Sequence, residues 1–158
     1  DAKMIEVCST TLPQMAIPKI LGDQRFTEYR DALNKKIGWR STFIADTLSE
    51  VPELIINKTY GAFYNTIVFK EGVLKDNQSL EIENPVVKKK VEDWVEGVPL
   101  DFRFVYYLLG ATGICVVPIS SFCSNLLGFR VTLLEEDEEL LKKTFTQVRD
   151  SIREYLDS

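Results

Sequence analysis

Apolar residues recur at helical spacing in several stretches of the chain and alternate in others. Over residues 25–50, Phe26, Leu33, Ile37, Ile44 and Leu48 fall on one stripe, widened by Tyr29 and Trp39, and predict one long amphipathic helix closed by Val51-Pro52. Leu54-Ile55-Ile56 and Ala62 to Lys70 then predict β structure around Tyr60-Gly61. In the second segment Phe63, Ile67 and Phe69 take one face, and Tyr64, Thr66 and Val68 take the other. Residues 71–83 read as a polar loop. Asn84-Pro85 combines a capping side chain with a proline in the first turn, so a helix starts there, with Val87, Val91, Trp94 and Val95 inward and Gly97 as its stop.

A second helix follows, with Asp101 as its cap and Phe102, Val105, Leu108 and Leu109 inward, ended by Gly110 and Gly113. The all-apolar run Ile114-Cys115-Val116-Val117 reads as a buried strand, with Cys115 as a small core residue, and residues 119–127 as a loop. From Gly128 to Leu134 the residues Phe129, Val131 and Leu133 alternate with Arg130, Thr132 and Leu134, as in a strand with one buried face. The last helix covers residues 136–156 with Leu141, Phe145, Val148, Ile152 and Leu156 in line. Its acidic start (Glu135 to Glu139) and later Lys142, Lys143, Arg149 and Arg153 suit the helix dipole.

Residues 1–23 carry Pro13 and Pro18, which argue against a long helix, and Gly22 closes the segment. They read as a connecting arm whose Leu12, Met15, Ile17, Ile20 and Leu21 need burial against something. The whole order predicts an α/β (α+β) domain over residues 24–158, a small sheet of three or four strands with helices packed on it.

At 158 residues the chain can bury a core without staples. A net charge of −5 disfavours nucleic acid as a partner, and the short run Lys88-Lys89-Lys90 reads as a solvated helix face. No apolar stretch is long enough for a membrane span. The first residues, Asp1-Ala2-Lys3-Met4, are no signal peptide and lack the usual starting Met, so a fragment or processed product is expected. Cys8, Cys115 and Cys123 make neither a zinc pattern nor a disulfide framework, which fits a reducing, cytoplasmic setting. Histidine is absent, which removes imidazole bases, Ser-His-Asp triads and His-ligated metals; no metal site is expected.

Gly113-Ile114-Cys115-Val116-Val117-Pro118 ending in Phe122, followed by Phe129-Arg130-Val131-Thr132-Leu133, resembles the C-terminal signature of class I/II, fold-type-I aminotransferases that depend on pyridoxal phosphate; the wording of alanine aminotransferases is closest. Tyr60-Gly61-Ala62-Phe63-Tyr64 is similar to the family's turn into its small-domain sheet. Thr11-Leu12-Pro13-Gln14 resembles its inter-domain segment.

The resemblance implies the C-terminal small domain of an enzyme that moves an amino group between an amino acid and a 2-oxo acid, with residues 1–23 as an arm from a large domain that the chain does not contain. It also implies that Arg130 grips the substrate α-carboxylate and that Gly61, Pro118 and Phe122 sit near the substrate mouth. Without the resemblance, Arg130 reads as a solvent-facing strand residue, Gly61 as a backbone necessity, and Tyr60 and Tyr64 as sheet packing. The loop departs from the family where Ile119 and Cys123 replace glycines.

No lysine here stands in the Ser-x-x-Lys context of the Schiff base, so pyridoxal phosphate is expected in the intact homodimeric enzyme, not on this chain alone, which is expected to be inactive. The large domain and the amino-acid and 2-oxo-acid substrates are the partners implied. A non-enzymatic interaction domain that keeps the fold, or the same domain of a carbon–sulfur lyase or synthase, are the alternatives.

Overall fold

The computed structural model describes residues 10–158, so Cys8 lies outside the described residues. The chain divides into two compact units, residues 1–36 and 37–158.

In the first unit, helix α1 runs from Thr11 to Leu21, where the prolines had predicted a broken arm. Pro13 falls in its first turn, where the missing N–H has no helical partner to lose. Pro18 sits inside, yet its carbonyl still accepts from the Gly22 N–H at 3.0 Å. No residue of α1 is buried; Leu12, Met15, Ile17, Ile20 and Leu21 are all exposed. Just before the next helix, the Asp23 carboxylate accepts from the Arg25 backbone N–H at 2.9 Å and also takes the Arg25 guanidinium fork. That helix, α2, spans Arg25–Leu48 and continues into the second unit.

The second unit is a four-stranded antiparallel sheet with helices on one face. Strands β1 (Leu54–Ile56), β2 (Tyr64–Phe69), β3 (Val117–Pro118) and β4 (Gly128–Thr132) lie in the order β1-β2-β4-β3. The α+β expectation holds. Between β2 and β3 come α3 (Pro85–Trp94) and α4 (Leu100–Thr112), and α5 (Glu138–Asp157) closes the chain. In β2 the residues Asn65, Ile67 and Phe69 are buried while Tyr64, Thr66 and Val68 are not, a strict period of two. Facing Ile67 and Phe69 in one core are Phe129, Val131 and Leu133, with Ile44 and Leu48 of α2, Phe104, Val105 and Leu108 of α4, and the α5 stripe Leu141, Phe145, Val148 and Ile152. Tyr155, which the sequence reading did not single out, is fully buried with them.

Asn84 accepts from the Val86 and Val87 N–H groups and starts α3 as its sequence predicts. Gly113 takes φ +76° at the end of α4, a left-handed conformation that costs glycine nothing. Asp137 does for α5 what Asn84 does for α3, accepting from Glu139 and Leu140.

Further expectations change. The run 114–117 is not a buried strand: only Val117-Pro118 pairs, at the sheet edge, and Cys115 is exposed. An apolar run signals a central strand only when both sides are covered, and β3 has β4 on one side alone. The polar loop 71–83 supplies core: Leu74, Leu80 and Ile82 are buried, as is Gln78, whose amide bonds the Lys75 N–H and the Val73 and Leu156 carbonyls. Gln78, Leu80 and Ile82 alternate with Ser79 and Glu81 at a strand's period of two, yet the segment pairs with no strand of the sheet. Asp101 is not the cap of α4; Pro99 holds that place, and Asp101 lies inside the first turn, completely buried.

Candidate functional site

The face of the sheet opposite the helices carries Ile55, Tyr64, Thr66, Val68, Arg130 and Thr132, none of them buried. Register places Arg130 directly across from Thr66 on β2 and from Val117 on β3, so it stands in the middle of the sheet rather than at its rim. Two aromatic rings reach it from the flanking elements. The guanidinium carbon lies 4.3 Å from the ring centre of Tyr64 on β2 and 4.2 Å from that of Phe122, in the turn that follows β3. Each ring attracts the cation through its π face, worth roughly 0.5–2 kcal/mol per contact.

Stacking of this kind covers the flat faces of a guanidinium and leaves its edge. The edge carries the N–H donors, and among the described residues no carboxylate or carbonyl accepts from Arg130. A planar, permanently charged fork whose donors have no acceptor among the described residues suits a planar anion, a carboxylate in particular.

The turn that carries Phe122 is a 3₁₀ segment, Ile119–Phe122. Ile119 is buried, and its side chain fills the space over Gly128. A Cβ at Gly128 would overlap the Ile67 carbonyl and the Val68 Cα, so only glycine lets β4 approach β2 there. Ser121 Oγ donates to the Pro118 carbonyl at 2.6 Å. Ser120 is held more firmly: its hydroxyl lies 2.6 Å from Asp101 Oδ1 and its N–H 3.0 Å from Oδ2. Cys123 ends the turn at φ +58°, the left-handed region that glycine enters without cost. The resemblance leads one to expect glycine at that position; cysteine here takes a left-handed angle that glycine would enter freely.

The sequence-chosen residues do not all converge. Arg130 and Phe122 are in contact. Pro118 is buried and pairs with Phe129, so it fixes the turn rather than touching the Arg130 guanidinium. Gly61 is exposed, its φ is not positive, and nothing lies within 4 Å of a Cβ built on it; the left-handed residue of that turn is Ala62, at φ +59°. The backbone-necessity reading of Gly61 therefore fails. Tyr60 does not pack in the sheet either: it is 89% exposed, with the Lys58 ammonium 5.6 Å from its ring. Phe63 precedes β2 and is exposed.

Tyr64, expected to pack in the sheet, instead lays its ring on Arg130. The available signal was an aromatic residue on the same alternation face as the arginine, but nothing in one sequence sets the β2–β4 register. Asp101 was missed as a site-building residue, because its partners Ser120 and Gly128 are 19 and 27 positions away.

The described residues do not fit pyridoxal phosphate by themselves. A lysine that holds the cofactor covalently needs a site shielded from water. Every lysine among the described residues is exposed except Lys142, which is half-buried and paired with Glu139 at 2.9 Å. Among the same residues, no group of His, Cys, Asp and Glu could hold a metal ion, and no helix is long and apolar enough to cross a membrane.

No family model matches the chain. An uncharacterized aminotransferase of Methanocaldococcus jannaschii is 47% identical to it over 155 residues, which cover 98% of this chain and 36% of that protein. The chain thus spans little more than a third of the length of the relative it matches.

Proposed function

We propose that the chain is the C-terminal small domain of a pyridoxal-phosphate-dependent aminotransferase of class I/II and that Arg130 binds the α-carboxylate of the amino-acid and 2-oxo-acid substrates. The similarity to a third of an aminotransferase supports the enzyme class. The observation that carries the residue assignment is the guanidinium in contact with the Tyr64 and Phe122 rings, with no protein acceptor for its donors among the described residues. The cofactor would be held by the rest of the longer protein, where its electron-sink chemistry belongs.

The part assigned to this chain is orientation. Two parallel N–H donors fix a carboxylate in their own plane and thereby fix the direction of the adjacent Cα substituents. Holding a substrate in one productive orientation lowers the barrier of whatever step follows. The rings add a second constraint by preventing the fork from rotating about its long axis. Phe122 also shields one side of the bound carboxylate from water, which strengthens the ion pair.

The test is kinetic and uses the full-length protein. Arg130→Ala raises KM for the amino acid and for the oxo acid about a hundredfold, the scale of a lost charge-assisted pair. Arg130→Lys recovers only part of it, since a point charge does not reproduce the fork. Unaltered KM values in Arg130→Ala would remove the assignment.

A further inference from the structure

Asp101 is fully buried, and among the described residues no lysine or arginine pairs with it. A carboxylate in that position has to be satisfied by neutral donors, and the donors it has come from three separate segments. Oδ1 accepts from the Phe102 N–H at 3.0 Å, in the first turn of α4, and from the Ser120 hydroxyl at 2.6 Å. Oδ2 accepts from the Ser120 N–H at 3.0 Å and, longer, from the Gly128 N–H at 3.5 Å. The first turn of a 13-residue helix also favours negative charge.

These partners are not arbitrary with respect to Arg130. Ser120 lies two residues before Phe122, whose ring covers one side of the guanidinium. Gly128 lies two residues before Arg130 on the same strand and the same face. One carboxylate therefore fixes the element that carries the arginine and the element that carries its aromatic cover, and with them the distance between the two. The backbone alone does not set that distance: β3 pairs with β4 at only two positions, and the segment 123–127 that joins turn to strand has no regular structure.

From this we infer that Asp101 is a positioning residue for Arg130, acting through Ser120 and Gly128 and never touching the ligand. The inference rests on the reading of Arg130 as a carboxylate anchor for its consequence in catalysis. The positional link itself can be read without any substrate. Loosening the tether lets Phe122 move off the guanidinium. The fork then samples several orientations, and the substrate carboxylate is held less tightly in ground state and transition state alike. KM rises while kcat changes little.

The test has two stages. The Nε–H resonance of Arg130, assigned by its loss in Arg130→Lys, is displaced upfield in the wild-type chain by the Tyr64 and Phe122 rings. Asp101→Asn and Ser120→Ala shift it toward the position of an unstacked arginine, and Ser120→Thr, which keeps the hydroxyl, restores it. Asp101→Asn removes a buried acceptor and can unfold the domain; Ser120→Ala leaves the carboxylate and the Ser120 N–H bond in place, so the tether remains testable.

In the full-length enzyme, Ser120→Ala raises KM for both substrates about fivefold with kcat within about twofold, and Ser120→Thr returns it to the wild-type value. An Arg130 resonance that stays put in Ser120→Ala would overturn the tether, whatever Arg130→Ala does to KM. A resonance that moves, in a protein whose KM ignores Arg130→Ala, would uphold the tether and defeat the carboxylate reading instead.

Discussion

Strands β2 and β4 carry two different surfaces on alternate residues. Toward the helices they present Asn65, Ile67 and Phe69 opposite Phe129, Val131 and Leu133, all buried. Toward the other side they present Tyr64, Thr66 and Val68 beside Arg130 and Thr132, none buried. The two sets share the same backbone, the same twist and the same hydrogen bonds. The first set is held in place by what it excludes from water, so its stability follows from size and fit. The second set gains little from burial, and its one organised feature, an arginine flanked by two rings, has value only if something binds it. A sheet covered on one side thus separates the residues that make it fold from the residues it leaves partly open to solvent.

That separation can be broken most severely from the buried side. Phe129→Ala removes a fully buried ring that meets Phe69 and Phe104 at centroid distances of 5.9 and 5.5 Å. It lowers unfolding free energy by about 3–5 kcal/mol, measured by urea denaturation of the wild type and the variant. A loss below about 1 kcal/mol would mean that this face is not packed as described.

Asn65 sharpens the comparison, because it is a polar residue on the wrong face. It is completely buried, and among the described residues neither its amide nitrogen nor its oxygen has a partner. An unsatisfied buried polar group costs roughly 1–3 kcal/mol, so Asn65→Val raises the urea midpoint by a stability gain of about 1–2 kcal/mol. A midpoint that falls would show that the amide is bonded in solution.

Tyr155 tests the same interior by pH. Its hydroxyl is buried with no hydrogen-bond partner among the described residues, and burial pushes the phenol well above its ordinary range. The unfolded chain then loses the proton first as pH rises. The contribution of Tyr155 is fully present below about pH 10, the unfolded phenol value, and declines above it. Thermal unfolding between pH 8 and 11.5 shows a steeper alkaline decline in the wild type than in Tyr155→Phe. At pH 7 that variant lies within about 1 kcal/mol of the wild type. Parallel curves would mean that the hydroxyl ionises as freely in the fold as out of it.

The smallest effect on stability belongs to the open face. Arg130→Leu changes unfolding free energy by less than about 1 kcal/mol, since it gives up two partly solvated stacking contacts and fills the space with an apolar chain. Set against the large rise in KM expected of Arg130→Ala, this is the contrast in a single residue. A loss as large as that of Phe129→Ala would make Arg130 a structural element instead of a binding one.

Much of this was legible in the residues themselves. The α5 stripe, the Asn84-Pro85 start and the alternation of Phe129, Val131 and Leu133 with Arg130 each report local contact with water at a fixed period, and each is found as read. The places that went unread share a different property. Leu74, Gln78, Leu80 and Ile82 lie in a polar segment that joins no sheet, and Gln78 is held there by Arg103 and Leu156, far along the chain. Cys115 is apolar by neighbourhood yet exposed, because only the strand order puts its run beside the sheet edge. Asp101 looks like any first-turn acid until Ser120 and Gly128 are brought to it.

By itself, then, the sequence determined which residues meet water within each element: a helix or strand sorts its side chains by its own period, and that sorting needs no knowledge of the neighbours. Tertiary structure alone decided which elements adjoin. It placed Tyr64 and Phe122 on Arg130 and the Asp101 carboxylate on the turn that carries Phe122. Those pairings join residues far apart in the chain, and their register depends on how the whole core packs, a sum over many contacts that no local pattern contains.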